Sequence, residues 1–198
     1  HSSSSISNRS CRSLVVMKNW LESPNQTALL LIDWLNPFDF EGGRELKKHA
    51  SKAVSATLKL AERCEEVGIP LIQVNDNFGQ WSSDRRAICE RATCSEFGGQ
   101  EIAKKILTLE ADHFVLKPKH SAFYHTVLDL LLSHLEVERL ILTGLATNIC
   151  VLFTANDAHL RGHKLWIPPN CCAAQSREDH EYAMTHFERV LDCRTEAS

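Results

Sequence analysis

Four short runs, TALLLID (27 to 33), PLIQVN (70 to 75), HFVLK (113 to 117) and RLILTG (139 to 144), are apolar without alternating. Successive strand side chains point to opposite faces, so a strand wetted on one face alternates apolar with polar residues. A strand that is apolar throughout must be covered on both faces. A fifth run, KLWIPP (164 to 169), follows. Helical patterns fill the intervals. Residues 44 to 67 place Leu46, Ala50, Ala53, Val54, Thr57 and Ala61 on one stripe and stop at Gly68, a residue suited to ending a helix. Residues 124 to 135 carry Leu128, Leu131, Leu132 and Leu135 at helical spacing, residues 147 to 161 stop at Gly162, and residues 176 to 190 open with Ser176 and Asp179 as a capping box. This alternation predicts a Rossmann-like, three-layer α/β/α fold with a mainly parallel sheet of five or six strands. Right-handed crossovers then put the C-terminal ends of all strands on one edge, where ligands bind.

The chain has 198 residues, enough for one domain that buries roughly 70% of the surface of its unfolded form. A single domain is expected over 26–192, with an extension at 1–25, part tag or flexible chain, and a tail at 193–198. The opening HSSSSISNRS is Ser-rich, lacks Met and has no apolar core, so it reads neither as a signal peptide nor as a fold element. A net charge of −3 offers no basic field to gather phosphates, which argues against nucleic acid or an anionic membrane as partner. The apolar runs are far shorter than the roughly 20 residues of a membrane span. Eight cysteines, at 11, 64, 89, 94, 150, 171, 172 and 193, form no CxxC pair and no finger-like spacing with histidine. They read as reduced thiols of a cytoplasmic protein that acts on a small molecule.

If the active edge is where strands finish, few residues need explaining. Asp33 follows five apolar residues, and a buried carboxylate without a partner is costly. Lys117 ends the third strand in the same manner, with Pro118 fixing the turn and Lys119 just beyond. Cys150 sits in ILTGLATNICVLFTANDAHLRG, in the first turn of a helix expected to start near Thr147. Unpaired N–H groups at a helix start favour a thiolate, which is the attacking form of the group. Each residue has an ordinary explanation: a cap, a solvated strand end, a small buried hydrophobe. An acid, a cation and a thiol converging on one edge make a set that can activate a nucleophile.

The segments LLLIDWLNPF, VLKPKHSAFYHT and ILTGLATNICVLFTANDAHLRG resemble the signature blocks of the isochorismatase-like cysteine hydrolases, which include nicotinamidases and N-carbamoylsarcosine amidohydrolases. Order, spacing and local context agree over nearly all of residues 26 to 192. The resemblance implies a strand order of 3-2-1-4-5-6, a catalytic triad of Asp33, Lys117 and Cys150, and no cofactor. It also implies a cis peptide between Leu145 and Ala146, and an oxyanion hole made by the backbone N–H groups of Ala146 and Cys150. Many nicotinamidases carry an Asp-x-His motif and a further histidine after the second strand to hold a metal. This chain has Asn75, Asp76, Asn77 and Phe78 there, so no metal is expected. His159 and His163 have a metal-capable spacing, but Gly162 ends the helix between them and no third ligand is in view.

The expected activity is therefore hydrolysis of a C–N bond, of the amide or carbamoyl kind, through a thioester-type intermediate. Vinyl ether hydrolysis and a catalytically silent small-molecule binder on the same fold are the alternatives. A nucleotide-binding domain is disfavoured because the turn DWLNPF after the first strand has no glycine, and a thiol oxidoreductase because Cys150 has no nearby resolving cysteine. Trp34, Phe38, Asn75, Asn77, Phe78, Trp81 and Phe123 are the expected pocket residues. His120 and His125 flank the Ser-Ala-Phe turn at the pocket rim, where a structural or solvated role is the simpler expectation. The irregular stretch 76 to 99 is placed to act as a lid. A homo-oligomer, dimer or tetramer, is expected.

Overall fold

The computed structural model describes residues 20–21, 24–94, 96 and 98–198. The expected extension at 1–25 lies for the most part outside the described residues, as does Cys11. Six strands are present: β1 (Thr27–Ile32), β2 (Leu71–Asp76), β3 (His113–Lys117), β4 (Arg139–Leu145), β5 (Lys164–Trp166) and β6 (Cys172–Ala173). Among the described residues, six α-helices connect or follow them: α1 (Gly43–Glu66), α2 (Arg85–Thr93), α3 (Gln100–Ile106), α4 (Leu128–His134), α5 (Leu152–Leu160) and α6 (Arg177–Arg189). Among the described residues, no helix is long and apolar enough to cross a membrane.

Every strand pairs in parallel, in the order β3-β2-β1-β4-β5. The order runs as expected through β5. β6 does not pair on β5; it adds to β4 further along the same edge, at Gly144 and Leu145, beyond the Arg139 to Ile141 stretch that β5 uses. β5 is short because Pro168 and Pro169 follow it, and proline cannot donate to a ladder. The short turn Pro169–Cys171 then returns the chain to β4.

β1 is buried at all six positions, as its unbroken apolar run requires. One sheet face packs Leu29, Leu31 and Leu71 against α1, α2 and α3; the other packs Ala28, Leu30 and Ile32 against α4, α5 and α6. These are the expected three layers. α1 stops at Gly68, whose φ of 78° suits glycine, with Ile69 N–H reaching back to the Cys64 carbonyl at 2.9 Å. α6 starts with Ser176 accepting from Asp179 N–H at 3.0 Å and donating to its carboxylate at 2.6 Å.

Two stretches differ from expectation. The segment 76 to 99 is not one irregular loop: α2 lies inside it, capped by the Asp84 carboxylate, which accepts from Ala87 N–H at 2.8 Å. The helix expected over 124 to 135 is confined to Leu128–His134, because His125 takes a φ of 50° that no α-helix tolerates. At the ends, Trp20 packs on Trp166 with ring centroids 6.2 Å apart, and the tail returns to β5, where Arg194 N–H donates to the Leu165 carbonyl at 3.0 Å.

Candidate active site

The parallel order places the ends of β3, β2, β1 and β4 side by side, and the chain direction through the sheet reverses between β1 and β4. Crevices at such switch points are where α/β sheets bind ligands. Asp33 extends β1 by one residue, its N–H donating to the Val74 carbonyl at 2.8 Å, and its φ of 53° then turns the chain away. Its carboxylate is buried. Oδ1 accepts from the N–H of Asp76 at 2.7 Å, and Oδ2 lies 2.8 Å from Lys117 Nζ.

Lys117, the last residue of β3, is 0% exposed. Four groups surround its ammonium: the Asp33 carboxylate, Asp76 Oδ2 at 3.3 Å, the Lys119 carbonyl at 3.2 Å and Cys150 Sγ at 3.5 Å. Burial alone would push this amine towards neutrality, but the negative charges of Asp33 and Asp76 outweigh it, and the pKa stands above the ordinary lysine value. The lysine is thus held charged. Lys119 contributes only its carbonyl, and its side chain is exposed.

Cys150 belongs to the turn Thr147–Val151, wider than an α-helix, in which Val151 N–H reaches back five residues to the Ala146 carbonyl at 3.2 Å. The peptide bond that leads into this turn, Leu145 to Ala146, is cis. At Gly144, with a φ of 139°, a Cβ would run into the Ile32 carbonyl of β1, so only glycine lets β4 pass this close before the turn. A helix start does not by itself set the protonation of Cys150. Burial pushes the Cys150 thiol up, the Asp33 carboxylate pushes it further, and Lys117 offsets only part of this. Moreover, α5 begins at Leu152, after the cysteine, so the thiol does not sit inside a regular first turn. The resting arrangement is a protonated thiol beside a lysine–carboxylate pair.

Asp76 also belongs to this cluster, and sequence reasoning passed over it. It ends β2 next to the residue after β1, but Asn75 precedes it and Gln73 interrupts the run, so it does not stand out as an acid after apolar residues. Its Oδ1 accepts from Phe78 N–H at 2.6 Å while Oδ2 faces Lys117, so both oxygens are occupied.

The expected pocket residues disperse. Trp34 is fully buried, with its ring N–H 3.4 Å from Thr143 Oγ1. Asn75 is spent on the loop after β1: its Oδ1 accepts from Leu35 N–H at 3.2 Å and its Nδ2 donates to the Leu35 carbonyl at 2.9 Å. Asn77 accepts from Gly79 N–H at 2.8 Å in a local turn. Phe123 lies in the core under α4 and α5, with the Arg161 guanidinium 4.6 Å from its ring centroid, at the far end of α5 from Cys150. Trp81 is 83% exposed. Phe38 is buried and Phe78 half-buried under Arg91, whose guanidinium lies 5.3 Å from the ring centroid. His120, exposed and leaning on Phe153, brings Nδ1 within 4.0 Å of Cys150 Sγ; His125 is exposed and edges onto Tyr124.

The end of β2 does not fit a metal. Asp76 already serves Lys117, Asn77 serves a turn, and Phe78 has no donor atom. Among the described residues, no group of three or more His, Cys, Asp or Glu side chains is placed to hold a metal ion.

The sequence matches the isochorismatase domain model over residues 27–197. It is 44% identical over 164 residues to the uncharacterized isochorismatase family protein YaaI of Bacillus subtilis (strain 168), covering 83% of this chain and 90% of that protein. The fold is similar to that of N-carbamoylsarcosine amidase from Thermoplasma acidophilum, with 27% identity, a TM-score of 0.67, and 87% and 96% of the two chains covered. It is also similar to that of the nicotinamidase of Staphylococcus aureus, with 22% identity, a TM-score of 0.65, and 86% and 99% covered.

Proposed function

The chain belongs to the isochorismatase family, and from that premise we propose that it is a cysteine hydrolase cleaving a C–N bond, of the amide or carbamoyl kind, in a small molecule. The observation that carries this reading is the buried Lys117 ammonium, 2.8 Å from the Asp33 carboxylate and 3.5 Å from the Cys150 sulfur. Buried groups of three kinds in mutual contact are costly to assemble, and they form a base, a cation and a nucleophile.

The resting thiol determines the order of events. As Cys150 attacks the carbonyl carbon, its S–H proton passes to Asp33, so the sulfur becomes anionic only while the S–C bond forms. Lys117 stays protonated and stabilises that charge from 3.5 Å. The N–H groups of Ala146 and Cys150 hold the oxyanion. Asp33 then gives its proton to the leaving nitrogen, the C–N bond breaks, and a thioester remains. Water attacks the thioester while Asp33 takes a water proton. The acid product leaves, and Asp33 returns the proton to sulfur. Asp76 touches no reacting atom; it is a positioning residue that holds Lys117 and, through its own N–H, orients Asp33.

A panel of amides, ureido acids and vinyl ethers tests the reading. Turnover of an amide or ureido acid, abolished in Cys150→Ala, supports it. Turnover confined to vinyl ethers and retained by Cys150→Ala overturns it.

A further inference from the structure

A cavity of about 400 Å³ lies where α1, β6 and the start of α6 meet. Its polar lining is His49 and Lys52 of α1, Asn170, Ser176, and Arg177 and His180 of α6; no aspartate or glutamate lines it. Two of these groups are spent. The Ser176 hydroxyl serves Asp179, and the Asn170 amide is bonded to Ser198. The others are not. Lys52 has no hydrogen-bond or ion-pair partner among the described residues. Arg177 uses only Nε, in an exposed pair with Glu181 at 2.6 Å that is worth little in water.

The two histidines are anchored from the protein side. His49 Nδ1 lies 2.8 Å from the Ala174 carbonyl, which can only accept, so Nδ1 carries the proton and Nε2 is left without a partner among the described residues. His180 Nδ1 is 2.8 Å from Thr147 Oγ1, and its Nε2 is likewise unpartnered among them. Every unspent polar side chain of the lining is thus a cation or an imidazole, in a chain whose net charge is −3. The volume is at the small end of the roughly 300–1,000 Å³ typical of ligand pockets.

We propose that this cavity binds a small organic anion through a carboxylate or phosphate group held by Lys52, Arg177 and the two histidines. The site is separate from the triad. Lys117 reaches Cys150 from the β3 side of β4, while the cavity lies on the β6 side, where α6 packs on the nucleophile turn and His180 bonds Thr147. The inference does not depend on the proposed reaction, because neither Asp33, Lys117 nor Cys150 lines the cavity.

Titration calorimetry with malonate, inorganic phosphate and the neutral control malonamide tests it. Wild type binds one malonate or one phosphate per chain and does not bind malonamide; the tighter anion identifies the headgroup. The double variant Lys52→Ala/Arg177→Ala, both substitutions being of exposed side chains, melts as wild type does and binds at least 10-fold more weakly. Cys150→Ala binds as wild type does. The proposal is overturned if neither anion binds saturably, if malonamide binds as well as malonate, or if the double variant binds unchanged. Loss of binding in Cys150→Ala also overturns it, because the anion then occupies the catalytic crevice.

Discussion

Replacing Lys117 by methionine removes the one cation shared by two carboxylates and a thiol while keeping most of the side-chain volume. At 2.8 Å from Asp33, and at an effective dielectric of about 20, the Coulomb attraction is about 6 kcal/mol; at 3.5 Å from Cys150 the same arithmetic gives about 5 kcal/mol for the thiolate. The desolvation of Lys117 itself is recovered on substitution, so the net loss is smaller, and breaking a buried pair costs about 3–5 kcal/mol. Left with Asp76 nearby and no cation, Asp33 tends to hold a proton and cannot act as base. Turnover should fall at least about 100-fold, the range for one positioned electrostatic group. The pH dependence has a definite sign. In wild type the folded pKa of Lys117 is raised, so its contribution is fully present below the unfolded lysine value of 10.5 and is unchanged across neutral pH. In the variant two neighbouring carboxylates have lost their cation, so taking up a proton is favoured in the folded state and the protein should be more stable at about pH 5 than at about pH 8. Thermal melts at both pH values, with turnover of the amide found by screening, read both effects. Lys119→Met is the control and should lose little. A Lys117→Met protein that is as active as wild type, or equally stable with no pH dependence, refutes the reasoning.

Three further outcomes follow from the same geometry. Iodoacetamide should alkylate Cys150 slowly at pH 7 and faster as pH rises, because burial and Asp33 hold the thiol protonated; Asp33→Asn should speed alkylation while abolishing turnover, and peptide mapping that shows slower alkylation in this variant contradicts it. Asp76→Asn keeps the N–H that Asp33 accepts but removes the charge 3.3 Å from Lys117, so turnover should fall about 5-fold, matching about 1 kcal/mol from one partly exposed charged contact. Turnover should survive EDTA, since the end of β2 offers no built set of metal ligands; activity lost in chelator and restored by added metal would refute this.

β1 to β5 were legible because each lies in a short apolar run, and β1 and β4 owe that to burial on both faces. α2 was not. Its segment is rich in Arg, Glu and Asp, and the helix buries only Ile88 and Ala92, too little for a stripe to stand out from the polar loop around it. β6 is two residues long, below what periodicity can register. At the site, an acid or a cation at the end of an apolar strand singled out Asp33 and Lys117, whereas Asp76 follows Asn75 and gives no such signal. Side-chain direction was beyond that signal. Trp34 and Asn75 stand at strand ends yet turn to Thr143 and Leu35, and only the packed fold shows this. The burial of Cys150 and the nearness of Asp33 were likewise beyond chain position, because they come from three separate strands meeting.

The most direct test of a cysteine-centred hydrolysis is acid quenching during turnover of an accepted amide or ureido acid, followed by intact-mass measurement and peptide mapping. The account predicts an added mass equal to the acyl part of the substrate, on the peptide that carries Cys150 and on no other, and absent from Cys150→Ala, which is also inactive. Steady turnover with no adduct on Cys150, retained by Cys150→Ala, would contradict it.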